Sequence, residues 1–422
     1  MSSRHFGVRP NLQQLKSQAK DLLRDVREGK ASAVAEFIAF HPAGRLKPGI
    51  RLADAQLALA RTYGVRSWPR LVRACRVVDA IWADDVPGLE ALIRAHPNLL
   101  HEMALGTERS SWGPPMSYAA NLGRDALIRL LHDLGARDHE KALDRAALQG
   151  QVGSARLVHS LMGSPRPDSS LLRGPAYTLS EHGTRLVLEL GAPVVGERGE
   201  RLAPVDVVLE SDSRKPPSKH RILEAYVQRG LTLPDTPPMA VHRGRIDLLR
   251  EHLRRDPDLL SRRFSHEDIY PPDLGCHDEV FATHGTPLGG ATLLHMCVDY
   301  DEEEIGRWLL DQGADSNATA GTDAEGFGGH TPLFSAVVSQ PNYWWNRSGS
   351  ERLAFWAELL LDRGADPNAR ASLRKALHPG YGDPVLRACR DVTPLSWGRR
   401  FHDPRFVSEP AMERIAARGG LP

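Results

Sequence analysis

Apolar side chains recur every three or four residues along short stretches of this chain, and glycine or proline separates the stretches. Over 11–28 the apolar positions share one stripe of a helix, and Gly29 marks its end. Similar patterns predict helices over 31–40, 52–63 and from residue 67 to about residue 75. The N-terminal part is therefore predicted to consist of short helices.

Further along, the pattern becomes a series of paired helices. The clearest pair runs from Thr292 to Ala318, opening with Thr-Leu-Leu-His and closing with Leu-Leu-Asp-Gln-Gly-Ala-Asp. Related openings occur at Thr331 and Thr393. A threonine here predicts a helix start, because its hydroxyl can accept a hydrogen bond from an unpaired backbone N–H. Gly313 and the equivalent Gly364 predict helix ends, because glycine adopts the left-handed conformation readily.

This pattern resembles the ankyrin repeat, a unit of about 33 residues built from two short helices. The resemblance implies an all-α fold, an ankyrin-repeat α-solenoid of helical hairpins, preceded by a small helical domain. We expect the N-terminal helical segment to span 1–76 and the solenoid to span 77–422. The phrase over 52–71 is similar to the helical segment that precedes ankyrin repeats in some bacterial proteins. Weaker copies of the repeat occupy 114–136, 146–161, 175–192, 204–230 and 239–257.

Small residues recur at one position in the first helix of these pairs. Because neighbouring hairpins must approach closely there, we expect these side chains to be buried. The positions are Ala119, Ala146, Ala240, Ala336 and, in the clearest pair, Cys297. The cysteine is therefore predicted to act as a small apolar residue and not as a reactive thiol.

Charge adds little to this picture. The net charge is +1, so no global field indicates a nucleic acid or a membrane as the partner. Residues 1–76 hold 15 basic and 5 acidic residues, a net of +10, which leaves −9 for the remainder. Arginines 61, 66, 70, 73 and 76 are interpreted as a solvated helix surface. Nucleic-acid binding by this segment is the less favoured alternative.

Cysteine use and hydropathy bear on location. The four cysteines show no C-x-x-C spacing, which favours a reducing compartment over a disulfide framework. No apolar run approaches 18 residues, and the N-terminus lacks the apolar region of a signal peptide. We therefore expect a cytoplasmic protein that does not insert into membranes.

Three insertions interrupt the C-terminal repeats, at 262–290, 340–351 and 372–390. Insertions in repeat arrays cluster on one face, often the binding face. The first carries His266, His277 and His284 among several carboxylates, yet their spacing matches no metal-site template. A packed polar loop is the favoured interpretation there, and a metal site is the alternative.

The second insertion holds Tyr343, Trp344, Trp345 and Arg347, residue types that dominate binding hot spots. These four are the predicted partner-binding residues, with Asp278 and Glu279 as polar partners. Alternatively, one or both tryptophans fill a gap between repeats. The third insertion combines six residues suited to an acidic partner or an anionic small molecule. They are Arg374, Lys375, His378, Tyr381, Arg387 and Arg390.

Two further features have structural explanations. The acidic run 301–304 begins a helix, where carboxylates complement the helix dipole. His295 occupies the histidine position of the ankyrin pattern, and the resemblance implies a structural hydrogen-bonding role. No phosphate-binding loop, dinucleotide signature or nucleophile elbow is present.

Together these patterns favour a non-enzymatic protein-binding scaffold without a cofactor, with its site beside residues 292–318. The competing hypothesis is a small-molecule-binding protein or metal-dependent enzyme that uses the same insertions, with the three histidines as ligands or acid–base groups. The sequence does not indicate an oligomeric state.

Overall fold

The computed structural model describes residues 4–46, 48–339, 350–378, 380 and 384–422. Its chain divides into two compact units, 1–166 and 167–422. The predicted boundary after residue 76 stays a prediction.

Unit 1 is made of short helices joined by tight turns. The helices are α1 (Leu12–Arg27), α2 (Ala31–Phe40), α3 (Leu52–Thr62), α4 (Trp68–Ala83), α5 (Val86–Ala95), α6 (Pro115–Asn121), α7 (Asp125–Asp133), α8 (His139–Gln149) and α9 (Val152–Leu161), with a 3₁₀ turn at Pro97–Leu100.

The first helices form where the apolar stripe predicted them. Asn11 caps α1 by accepting hydrogen bonds from the backbone N–H groups of Gln13 and Gln14, and Gly29 follows the helix with a φ of +74°. Leu22, Phe37 and Leu59 bring α1, α2 and α3 into one buried cluster. Helix α4 continues to Ala83, past its predicted end near residue 75, because Val77, Val78 and Ile81 extend its buried face.

Unit 2 continues the series of helical hairpins and adds one small sheet. Its helices are α10 (Arg173–Tyr177), α11 (Glu181–Glu189), α12 (Val205–Leu209), α13 (Pro216–Gln228), α14 (Pro237–His242), α15 (Ile246–Arg255), α16 (His266–Ile269), α17 (Glu279–Ala282), α18 (Leu293–Tyr300), α19 (Glu303–Asp311), α20 (Pro332–Val337), α21 (Ser350–Asp362), α22 (Pro394–Arg400) and α23 (Glu409–Ala417). Its 3₁₀ turns are Ser169–Leu172, Pro257–Leu260, Pro272–Leu274 and Pro404–Phe406. Its two strands are β1 (Ala371–Lys375) and β2 (Arg387–Val392).

The small residues predicted to lie between hairpins are buried in both units. Ala119 and Ala146 in unit 1, and Ala240, Cys297 and Ala336 in unit 2, are each at most 2% exposed. Burial also raises the pKa of the Cys297 thiol well above its usual value, so this thiol stays protonated. The prediction of a packing cysteine is confirmed.

The three threonines that open repeats cap their helices in different ways. The Thr393 hydroxyl accepts a hydrogen bond from the Ser396 N–H at 3.1 Å, as predicted. At Thr292, the His295 ring takes over the capping, with its Nδ1 2.9 Å from the hydroxyl oxygen and 3.2 Å from the backbone nitrogen. The Thr331 hydroxyl is buried and has no hydrogen-bond partner among the described residues. The Thr292 side chain also accepts from the backbone of His295 in a capping box, so the predicted hydroxyl cap holds at two of the three positions.

Two of the predicted insertions contain regular structure. The first, 262–290, includes α16 and α17 and buries Tyr270 completely, so it contributes to the core and is more than a polar cover. The third, 372–390, forms an antiparallel hairpin in which Leu373 pairs with Cys389. This small sheet is an addition to an otherwise helical fold.

Within the described residues, no helix is both long enough and apolar enough to cross a bilayer.

Candidate functional site

The four residues predicted to form the aromatic part of the site cannot be placed. Tyr343, Trp344, Trp345 and Arg347 lie outside the residues that the structure describes, as does Tyr381. Their role stays a prediction.

The predicted polar partners lie at the start of α17. Asp278 caps this helix by accepting hydrogen bonds from the N–H groups of Val280 and Phe281 at 3.1 and 3.2 Å. The Glu279 carboxylate lies 3.1 Å from Nζ of Lys375, a side chain that is 1% exposed on β1. Burial lowers the pKa of Lys375, and the neighbouring carboxylate opposes that effect. Asp278 therefore has a structural role, whereas Glu279 joins α17 to β1.

The three candidate histidines bond to separate groups. His266 Nε2 lies 2.8 Å from the His277 carbonyl, and His277 Nδ1 lies 2.8 Å from the Glu210 carboxylate. His284 Nε2 is 3.2 Å from a carboxylate oxygen of Asp212. Among the described residues, no three His, Cys, Asp or Glu side chains are grouped so that they could hold a metal ion. The geometry thus gives the metal alternative no support.

A cleft of about 380 Å³ lies between the first and third insertions, beside the clearest repeat. Its lining combines short loops with the start of β1, and four of the lining residues are glycines. The residues are Glu279, Pro287, Gly289, Gly290, Gly321, Thr322, Asp323, Phe327, Gly328, His330, Leu373 and Arg374.

Backbone hydrogen bonds fix the walls of this cleft. The Gly321 N–H donates to the Gly290 carbonyl at 2.8 Å, and the Gly328 N–H donates to the Ser372 carbonyl at 2.6 Å. Glycine is required at Gly328, where φ is +120° and an added Cβ would collide with the Gly321 carbonyl oxygen. At Gly289, by contrast, an added Cβ meets no atom within 4 Å. The walls are rigid backbone, and Gly289 borders open space.

The charged groups of the cleft are paired with one another. Arg374 places one guanidinium nitrogen 2.8 Å from Asp323 and the other 2.7 Å from Glu325. The Phe327 ring contacts two guanidinium groups, with its centroid 4.9 Å from that of Arg374 and 4.3 Å from that of Arg390. With Glu279 paired to Lys375, the cleft offers no isolated charge among its described lining residues.

His330 also lines the cleft. Its ring is 1% exposed and lies edge-on to the rings of His295 and Phe334, with centroids 5.4 and 6.3 Å away. Burial and the nearby His295 lower the pKa of His330 to about 3, although a hydrogen bond with the Pro287 carbonyl favours the protonated form. The imidazole is therefore neutral at physiological pH, and its nitrogens are closed to solvent.

The clearest repeat contacts the backbone of His330 through His295. His295 Nε2 donates to the His330 carbonyl at 3.0 Å, which confirms the structural role expected for His295. No pattern in the sequence indicated His330 as a candidate site residue. The available signal was the pair Gly328-Gly329 directly before it, a sign that the backbone approaches another segment closely.

A buried ion-pair network lies at the other end of the same repeat. Arg214 bonds to Asp299 at 2.9 Å, and Lys219 lies 2.7 Å from Glu302, with all four side chains at most 3% exposed. Glu303 and Glu304 lie in the first turn of α19, where the helix dipole accounts for them. Glu302 is the N-cap residue of the same helix, and it is in addition buried in ion pairs with Lys219 and His220.

Comparison with known proteins gave one family match and a similar solved structure. The family profile of the ankyrin repeat matches residues 289–320. Among solved structures, the ankyrin repeat domain of human ASB11 matches with 16% sequence identity and a TM-score of 0.26, over 73% of this chain and 99% of that chain. The search of curated proteins gave no match. The profile match identifies residues 289–320 as an ankyrin repeat, and helical hairpins precede and follow this repeat along the chain.

Proposed function

We propose that this protein is a binding module that holds a segment of another protein in the cleft beside residues 289–320. Ankyrin repeats generally mediate protein–protein interaction, and solenoids place their binding surfaces on inserted loops. The observation that carries the proposal is the cleft itself, which lies beside the matched repeat and has four glycines among its lining residues.

The glycine walls suit an extended chain, because they let another backbone approach closely. The pairing of the charged lining residues favours a polar, uncharged contact over a strongly ionic one.

The proposal is tested by blocking the cleft without disturbing the fold. Gly289→Leu places a side chain in open space, because an added Cβ there meets no atom within 4 Å. Gly7→Leu is the matched control, since Gly7 is equally open and belongs to unit 1. A library of random linear peptides displayed on phage is selected on the full chain.

We expect selected peptides that bind the unmodified chain and the Gly7→Leu variant equally, and lose at least tenfold in affinity on Gly289→Leu. Selection that yields no such peptide, or only peptides that Gly289→Leu still binds, contradicts the proposal. Alanine variants of Trp344 and Trp345 measured on the same peptides test whether these residues belong to the binding surface.

A cytoplasmic location is also part of the proposal. Its support is that all four cysteines are free, with Cys75 and Cys297 buried. Fractionation of the native host, followed by immunoblotting, tests it.

A further inference from the structure

The cleft contains one edge of the small sheet, and an inference about how the ligand binds there rests on the proposed function. We propose that an extended segment of the partner protein adds as a strand to the outer edge of β1, the edge that faces away from β2, and pairs through its backbone with Arg374.

The direction of the β1 backbone follows from one observed pairing. The Ser372 N–H donates to the Gly328 carbonyl at 3.3 Å, and the Ser372 carbonyl accepts from the Gly328 N–H at 2.6 Å. Both backbone groups of Ser372 therefore point to the outer edge. Successive residues of a strand direct these groups to opposite edges, and the alternating burial along β1 shows a regular pleat. Arg374, two residues further on, thus directs its N–H and C=O to the same outer edge.

This edge borders the cleft at Arg374. Among the described residues, the β1 backbone bonds to the backbone outside its own hairpin only at Ser372. Segment 321–329 does not continue along the edge, because it turns back between Asp323 and Phe327. Phe327 and Arg374 both line the cleft. An unpaired strand edge is a template for a further strand, and main-chain hydrogen bonds supply affinity in ligands that bind this way.

The side chains of β1 leave the edge accessible. Side chains stand roughly perpendicular to a sheet, so they cover its faces and not its edge. The Arg374 guanidinium is held by Asp323 and Glu325 at 2.8 and 2.7 Å, and the neighbouring Lys375 is held by Glu279 at 3.1 Å. Because these charges are paired, the polar groups that the edge offers to a ligand are the N–H and C=O of Arg374.

Backbone pairing makes a prediction about the ligand sequence. The side chains of the ligand contribute little to this contact, so cleft-dependent peptides should vary in sequence. They should, however, lack proline at the residue that pairs with Arg374, because proline has no N–H to donate.

Three variants of the full chain isolate the Arg374 N–H. Arg374→Pro removes this N–H, and the β1–β2 ladder should tolerate it because the group points away from β2. Arg374→Ala removes the same side chain and keeps the N–H. Ala388 lies opposite Arg374 in the hairpin, so its N–H points to the far edge of β2. Ala388→Pro is therefore the matched control for a proline in this hairpin.

Isothermal titration calorimetry measures the affinity of a peptide from the cleft-dependent selection for each variant. We expect Arg374→Pro to bind about tenfold more weakly than Arg374→Ala, because a main-chain hydrogen bond is lost. Ala388→Pro should bind like the unmodified chain. Equal affinities of Arg374→Pro and Arg374→Ala, or an equal loss in Ala388→Pro, would overturn the inference.

A second measurement does not depend on the folding of any variant. The same peptide is synthesised with a methyl group on one backbone nitrogen at a time and titrated into the unmodified chain. We expect a loss of about tenfold at one residue and none at its two neighbours, whose N–H groups point away from β1. A peptide that tolerates methylation throughout, or loses affinity at consecutive residues, does not bind as an added strand.

The outcomes separate the two proposals. Cleft-dependent peptides that fail these tests overturn strand addition and leave the binding function standing. Absence of any cleft-dependent peptide overturns the proposed function, and strand addition with it.

Discussion

Two buried histidines, 35 positions apart, show how differently the fold treats the same side chain. Both rings of His295 and His330 are almost fully buried, and burial lowers the pKa of His295 to about 4 and of His330 to about 3. His295 uses one nitrogen to cap its own helix at Thr292 and the other to reach the His330 carbonyl at the start of the next repeat. The His330 ring instead contacts the Pro287 carbonyl. The first residue thus joins two repeats, and the second joins the next repeat to the loop that contains Pro287.

The lowered pKa values predict a loss of stability at mildly acidic pH. Below the ordinary imidazole pKa of 6.5 the unfolded chain takes up protons at these histidines, whereas burial holds the pKa of His295 in the folded chain to about 4 and that of His330 to about 3. Stability is thus present above 6.5 and is lost as the pH falls. Each histidine contributes a slope of about 1.4 kcal/mol per pH unit within its window.

Urea unfolding at several pH values between about 4.5 and 6 measures this slope. His330→Phe should reduce it by about 1.4 kcal/mol per pH unit, and His101→Gln, at an exposed position, should leave it unchanged. An unaltered slope in His330→Phe would show that the ring is not held neutral by burial.

The buried ion pairs predict a second effect at this scale. Asp299→Ala leaves the Arg214 guanidinium, 3% exposed, without its carboxylate, and should lower the free energy of unfolding by about 3 kcal/mol. Asp311→Ala breaks a pair with Arg363 of similar length at the surface, and should have little effect. Thermal unfolding compares the two variants. Equal losses would mean that burial does not determine the strength of these pairs.

At the scale of elements, the loops around the cleft depend on individual turn residues. The segment 321–329 folds back on itself, with the Asp323 N–H donating to the Phe327 carbonyl at 2.8 Å. It is joined to β1 through the pairing of Gly328 with Ser372. One side of the cleft is therefore an extension of the β1–β2 hairpin.

Replacement of the cleft glycines should have opposite consequences. Gly328→Ala forces a Cβ onto the Gly321 carbonyl at a positive φ, and should cost about 2 kcal/mol or more. Gly289→Ala introduces no contact and should be neutral or stabilise by about 0.5 kcal/mol, by reducing the freedom of the unfolded chain. Chemical denaturation measures the free energy of unfolding of both variants. A tolerated Gly328→Ala would mean that segment 321–329 can rearrange.

Helix caps give a further matched pair. Thr393→Val removes a hydroxyl that accepts from Ser396 N–H and donates to the Leu421 carbonyl at 2.6 Å, so we expect a loss of about 1 kcal/mol. Thr331→Val removes a buried hydroxyl that has no partner in the described part of the chain, and should be neutral or stabilising. If Thr331→Val destabilises as much, its hydroxyl must be bonded in solution. Differential scanning calorimetry compares the thermal stability of the two variants with that of the unmodified chain.

At the scale of the whole molecule, the division after residue 166 is the main feature. Residues 163–166 are exposed and lie outside any helix. Because proteases cut exposed segments that lack regular structure, brief digestion with subtilisin should cleave here among its first sites. N-terminal sequencing of the fragments identifies the cut. Cleavage inside the helices of either unit before any cut at 163–166 would contradict this prediction.

The sequence by itself determined the repeat. Local backbone and packing rules explain the helical periodicity and the glycines at the helix ends, Gly313 and Gly364. They also explain the small residues where neighbouring hairpins approach each other most closely. These rules act within each repeat, so they can be read from the sequence of that repeat. The sequence also indicated that the insertions at 262–290 and 372–390 are the irregular part. These insertions border the cleft described here.

Only the tertiary structure decided which residues meet there. Glu279 and Lys375 are 96 positions apart, and Asp323 pairs with Arg374 across a hairpin that no periodic pattern predicts. The hydrogen-bond partners of a buried polar group come from every segment packed around it. The residues next to His295 and His330 in the sequence therefore did not reveal which partners each ring would have. The long-range packing of the insertions placed the His330 ring against the Pro287 carbonyl of the first insertion.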